Sequence, residues 1–175
     1  MSGPLQSQMK QHDGPDLMLA RKLTVAISLI VASNVTAETL VQHLYSIDFP
    51  DGLTYSIETS TGDSWSDLVT FRGADEDGHL KIISYHAPVE MNEEQLRSIT
   101  NVDARETLTW QQWGDFSGYQ YGYEEQGSYY LQWFLVNEKT LLLITYQGEP
   151  TTKDSVAKSL SPMIRSLRVN PAATR

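Results

Sequence analysis

Between Glu106 and Tyr146 this chain reads as four strand-like runs separated only by loops of hairpin length, and that pattern leaves little choice of architecture. The runs are Glu106–Trp113, Tyr119–Glu125, Tyr129–Val136 and Leu141–Tyr146. The loops are Gly114–Gly118, Gln126-Gly127-Ser128 and Asn137–Thr140, too short for anything but antiparallel neighbours. Earlier in the chain, Ser46–Phe49 alternates and stops at Pro50-Asp51-Gly52. Leu53–Glu58 alternates again, and Trp65–Arg72 and His79–His86 are joined by a turn ending in Asp77-Gly78. Glycine at that turn tolerates the positive φ that tight hairpins demand.

Two helices interrupt the strands. Pro88 ends one run, and Asn92-Glu93-Glu94-Gln95 then carries the marks of a helix start, with Asn92 as N-cap and Gln95 closing a capping box. Leu96 and Ile99 are expected to face inward on a helix ending near Asn101. Thr151–Asp154 reads as a second box. Val156, Leu160, Met163, Ile164 and Leu167 then form one helical stripe, which Pro162 is expected to kink or to restart at Ser161. The order of hairpins, helix, meander and helix predicts an α+β fold, a mostly antiparallel sheet with helices packed on it.

The N-terminal region carries a different signal. Arg21 and Lys22 precede an apolar run, Leu23–Ala32, and Val35 and Ala37 place small residues at the −3 and −1 positions of a cleavage site. The run is too short to span a membrane comfortably, which needs about 20 apolar residues. Residues 18–37 are therefore read as a cleavable export signal, with periplasmic or secreted localisation. Residues 1–17 are an unstructured extension or lie upstream of a start at Met18. Residues 38–175 form a single α+β domain with its core at about 45–169. The chain has no cysteine, which excludes a disulfide framework, a thiolate metal site and a cysteine nucleophile. Its net charge of −9 argues against nucleic acid and suits capture of a basic partner.

Ten aromatic residues fall between Trp110 and Phe134. Tyr119, Tyr121 and Tyr123 alternate with Gln120, Gly122 and Glu124, so their rings share one face of a strand. Trp110, Trp113, Tyr129 and Trp133 come from neighbouring runs. The group reads either as an aromatic floor for a sugar, peptide or apolar segment, or as a sheet face covered by the C-terminal helix. Tyr121 is expected to be the most buried of the three tyrosines, with Tyr119 or Tyr123 reaching solvent beside Trp113.

Other constellations fall short of chemistry. Asp75-Glu76-Asp77-Gly78 lacks the further ligands of a calcium loop, since the fifth and twelfth positions are His79 and His86. Those two histidines point to opposite faces of one strand, and His43 stands alone. Glu93-Glu94 and Glu124-Glu125 are adjacent acids without the cleft that acid–base work needs. No nucleophile elbow, zinc-protease, P-loop or dinucleotide motif is present. No catalytic residue, metal or cofactor is expected.

Three stretches resemble the PsbP-like superfamily, which includes DcrB-type bacterial envelope proteins and the Ran-binding Mog family. They are the opening Ser46–Pro50, the hairpin Phe134–Tyr146 and the closing Ile164–Val169. The similarity would cover about Tyr45–Val169. It implies an α/β/α sandwich and a binding or accessory role in the cell envelope rather than catalysis, with a protein or a small apolar or aromatic ligand as partner. It carries over no functional residue. An immunity protein that neutralises a secreted toxin, and a carboxylate-dependent hydrolase, are the other functions considered.

Overall fold

The structure, a computed structural model, describes residues 37–59, 66–74 and 78–170. The strands are β1 (Ala37–Val41), β2 (Tyr45–Pro50), β3 (Thr54–Thr59), β4 (Ser66–Arg72) and β5 (Gly78–His86). After helix α1 (Glu93–Ile99) come β6 (Gln111–Trp113), β7 (Phe116–Glu125), β8 (Ser128–Asn137) and β9 (Thr140–Gly148). A 3-10 turn, Pro150–Thr152, leads into α2 (Lys153–Arg165), and β10 (Arg168–Val169) ends the domain. The expected extension and export signal lie outside the described residues, apart from Ala37, the first residue of β1.

The pairings among the described residues are all antiparallel, the hairpin partners as their short loops require and β5–β9 and β2–β10 across long connections, and they form two sheets rather than one. The large sheet runs β3-β4-β5-β9-β8-β7-β6, and the small one runs β1-β2-β10. One face of the large sheet is covered by the small sheet and α2. Ile47, Phe49, Met163 and Ile164 meet Ile82, Trp133 and Ile144 there, all buried. On the opposite face, α1 covers only one end, where Leu96 packs among Tyr119, Phe134, Val136 and Leu141. The result is an α+β sandwich with a helix on each side of a mostly antiparallel sheet.

The local signals mostly formed as the residues dictate. Asn92 accepts from the Gln95 amide and Gln95 accepts from the Asn92 amide, both at 2.9 Å, which completes the capping box of α1. Four expectations are corrected. Ile99 is 47% exposed, because α1 ends there and only Leu96 points at the sheet. The run Glu106–Trp113 is a strand only from Gln111. Arg97 binds the carbonyls of Val102, Asp103 and Glu106 and holds the preceding segment off the sheet. The box at Thr151–Asp154 does not close, since Thr152, the N-cap of α2, donates its hydroxyl to the Glu149 carbonyl instead. Pro162 sits exposed inside a continuous α2, so the helix does not restart at Ser161.

Candidate functional site

The large sheet divides the six candidate aromatics between its two faces. Trp133 is 0% exposed and Trp113 3% exposed, and both belong to the core under α2. Their rings meet edge to face at 6.2 Å, and the Arg165 guanidinium lies 4.7 Å over Trp113. Neither can floor a ligand site. The C-terminal helix covers this face and not that of the tyrosines, an assignment that strand alternation alone leaves open.

Tyr119, Tyr121 and Tyr123 do share the other face, but with a different gradient from the one expected. Tyr119 is the most buried at 3% exposed, whereas Tyr121 and Tyr123 are half-buried. The cause is the position of α1 at the Tyr119 end of the strand. Trp110 packs edge-on against Tyr119 at 5.2 Å, and the Tyr119 hydroxyl donates to Glu93 at 3.2 Å. Burial, then the bond to Glu93, raises the hydroxyl's pKa.

Away from α1 the same face is partly open, with Thr70 buried and Arg72 and Lys81 exposed, and register organises it into two polar rows. One row runs Thr70, Lys81, Thr145, Gln132, Tyr121 across β4, β5, β9, β8 and β7. The next runs Arg72, His79, Gln147, Tyr130, Tyr123. At a strand spacing of about 4.8 Å, five strands span about 19 Å. Tyr121 stacks on Tyr123 at 5.7 Å, and Tyr123 on Tyr130 at 5.0 Å with only 12° between ring planes. The stacked rings therefore turn their faces to one another. Burial, then Glu125 and the two neighbouring tyrosines, raises the Tyr123 pKa.

A groove of about 430 Å³ lies between this ladder and the 100–103 loop, lined by Thr100, Asn101, Val102, Asp103, Tyr121, Tyr123, Gln132 and Phe134. Arg97 fixes the loop through Thr100 Oγ1 at 2.9 Å and the Val102 and Asp103 carbonyls. Asn101 takes a positive φ of 54° at its tip. Arg105 bonds to Asp103 and holds its carboxyl below the usual range. Within the rows, Gln132 reaches Thr145 and Gln147 reaches Ser128, each at 3.5 Å, so both amides keep capacity for a further bond. Burial, then Lys81 and Arg72, lowers the pKa of His79.

A second hollow, about 360 Å³, opens beside α2 between Leu53, Phe71, Leu80, Tyr146, Val156 and Leu160. It is mostly an apolar seam at the margin of the core and offers fewer convergent polar groups. The carboxylate pairs do not converge on either hollow. Glu124 bonds Lys153 at 3.3 Å, while Glu125 lies on the opposite face of β7. Among the described residues no three His, Asp or Glu side chains are grouped to hold a metal, and no helix is long and apolar enough to cross a membrane. Sequence reasoning missed Tyr130, Gln132, Gln147, His79, Lys81 and Arg72 as neighbours of the tyrosines. Alternation within β8 could have placed Tyr130 with Gln132, but only register brings in the rest.

No family model matches the chain, and no curated protein matches it. Among the solved structures similar to it are two of low identity. A crystal structure from Bacteroides thetaiotaomicron VPI-5482 is 16% identical with a TM-score of 0.48, over 72% of this chain and 45% of that one. The solution structure of cyanobacterial PsbP (CyanoP) from Synechocystis sp. PCC 6803 is 12% identical with a TM-score of 0.44, over 80% of this chain and 96% of that one.

Proposed function

We propose that this chain is an exported, non-catalytic binding protein of the cell envelope that holds an extended ligand across the open half of its large sheet. The observation that carries this reading is the pair of polar rows ending in the stacked Tyr121, Tyr123 and Tyr130 beside the 100–103 groove. Convergent hydroxyls and amides on a rigid sheet, with one fixed loop as a wall, are what a binding surface needs. The export pattern before Glu38 supports the location. The PsbP-like and DcrB-like accessory roles implied by the sequence patterns fit the same reading.

Two measurements test it. N-terminal sequencing of protein from the natural host should begin at Glu38; recovery with residues 23–37 attached would refute export. Nuclear magnetic resonance of the protein titrated with a panel of oligosaccharides and peptides should show a ligand that shifts the Gln132 and Gln147 side-chain amides. The buried Trp133 indole signal should stay still. Tyr123→Ala should weaken that ligand roughly tenfold or more, the size expected when a central contact worth ~1.4 kcal/mol is lost. If every ligand found leaves both glutamine amides unmoved, the site is wrong.

A further inference from the structure

We propose that the open sheet face is selective for an acidic oligosaccharide, a hydroxyl-rich chain laid across β4, β5, β9, β8 and β7 with its carboxylates at Arg72 and Lys81. This deepens the binding reading above and rests on it. The first argument is charge. The chain carries a net −9, yet Arg72 and Lys81 stand on one face of two adjacent strands, Arg72 directly opposite His79 and Lys81 two residues along from it. Arg72 and Lys81 are exposed, and among the described residues neither makes an ion pair, whereas Arg105 and Lys153 do. No carboxylate belongs to either row. Four carboxylates among the described residues border them. On this face Glu58 lies on β3 opposite Leu68, and Glu125 lies one step beyond Tyr123. Asp103 lines the groove and is paired with Arg105, and Glu149 lines a hollow with His79 and Gln147. Overall acidity favours a basic partner at long range, whereas screening over about 8–10 Å in physiological salt leaves a carboxylate seated on Arg72 and Lys81 governed mainly by its contacts there.

The second argument is the kind of neutral group supplied. Thr145, Gln132, Gln147 and the hydroxyls of three tyrosines each donate and accept, which matches sugar hydroxyls. The exposed large apolar side chains of β3, Tyr55 and Ile57, pair with Phe71 and Val69 and so lie on the other face. The apolar residues of the tyrosine face, Leu68, Ile83 and Leu143, form a separate row on the α1 side, so the two polar rows themselves present hydroxyl, amide and cationic groups. The third argument is reach. The rows span about 19 Å, and an extended pyranose chain repeats at close to one strand spacing, so successive sugars meet successive strands. A guanidinium forks onto a carboxylate through two parallel bonds, so Arg72 suits a uronic acid unit at the β4 end.

The test compares tetragalacturonate with neutral maltotetraose by calorimetry, with resonance shifts of Gln132 and Gln147 locating each. The acidic probe should bind about tenfold or more tightly than the neutral one, and its advantage should shrink as salt rises past about 0.15 M. Because Arg72 and Lys81 are exposed, the R72Q/K81Q double variant should fold normally and lose the preference for the acidic probe. Equal binding of the two sugars, or a preference that survives the double variant, overturns the acidic selectivity while leaving the binding face in place. A panel peptide that shifts both amides when neither sugar does removes the sugar class and spares the binding reading. Silence of both amides toward the whole panel removes both.

Discussion

Replacing Trp133 by alanine should destabilise the domain by about 3–5 kcal/mol, the range for removing a large buried aromatic. Trp133 is fully buried near the middle of β8, directly opposite Ile144 on β9, with Trp113 edge-on from β6. Alanine leaves a void between two sheets whose backbones are pinned by their ladders, so little collapse can fill it. A domain of this size is stable by only about 5–15 kcal/mol, so such a loss should appear as a large drop in the urea midpoint. Trp133→Phe should cost much less. The indole Nε1 of Trp133 is buried without a hydrogen-bond partner, so phenylalanine removes ring volume together with an unsatisfied donor. A midpoint for the alanine variant close to the wild-type value would mean that Trp133 is not core. That outcome would reopen its reading as part of a ligand floor.

The strand pattern was legible because alternation is local. β2 to β5 and β7 to β9 all sit within a residue or three of where the sequence placed them, and α1 starts at its capping box. What escaped depends on distant partners. β1 and β10 are strands only because both pair with β2, Val169 meeting Tyr45 across most of the domain's length. The run before Gln111 alternates well enough for a strand, but the Arg97 side chain occupies carbonyls of the segment leading into it. The same division holds for the site. That Tyr119, Tyr121 and Tyr123 share a face follows from period two alone. Which helix covers that face, and that Arg72, His79 and Gln147 line up with Tyr130, follows from register, which no window of sequence displays.

Gly118→Ala should be at least as damaging, about 3 kcal/mol or more, because the substitution drives a methyl into backbone rather than into a side chain that can move. Gly118 stands where β7 is paired on both sides, with Gln111 of β6 and Leu135 of β8. A Cβ there would clash with the Phe134 carbonyl oxygen and reach the Leu135 Cα at 3.0 Å. To relieve that clash β7 must move away from β8, yet β6 holds its other edge and Phe116 is buried two residues before. The consequence should reach the ligand face, because Tyr119, Tyr121 and Tyr123 follow on the same strand and their stack depends on Tyr130 of β8 staying in register. Gly127→Ala is the control. Gly127 sits in the turn between the same two strands with a φ of +79° and open space where a Cβ would go. Its cost should be the left-handed backbone strain alone, about 1–2 kcal/mol. Urea melts should therefore rank Gly118→Ala well below Gly127→Ala, and any remaining folded Gly118→Ala protein should show displaced Gln132 amide signals. Equal melts for the two variants would mean that β7 can slide past β8 at little cost. The rigid spacing of the two polar rows would then no longer be a property of the fold.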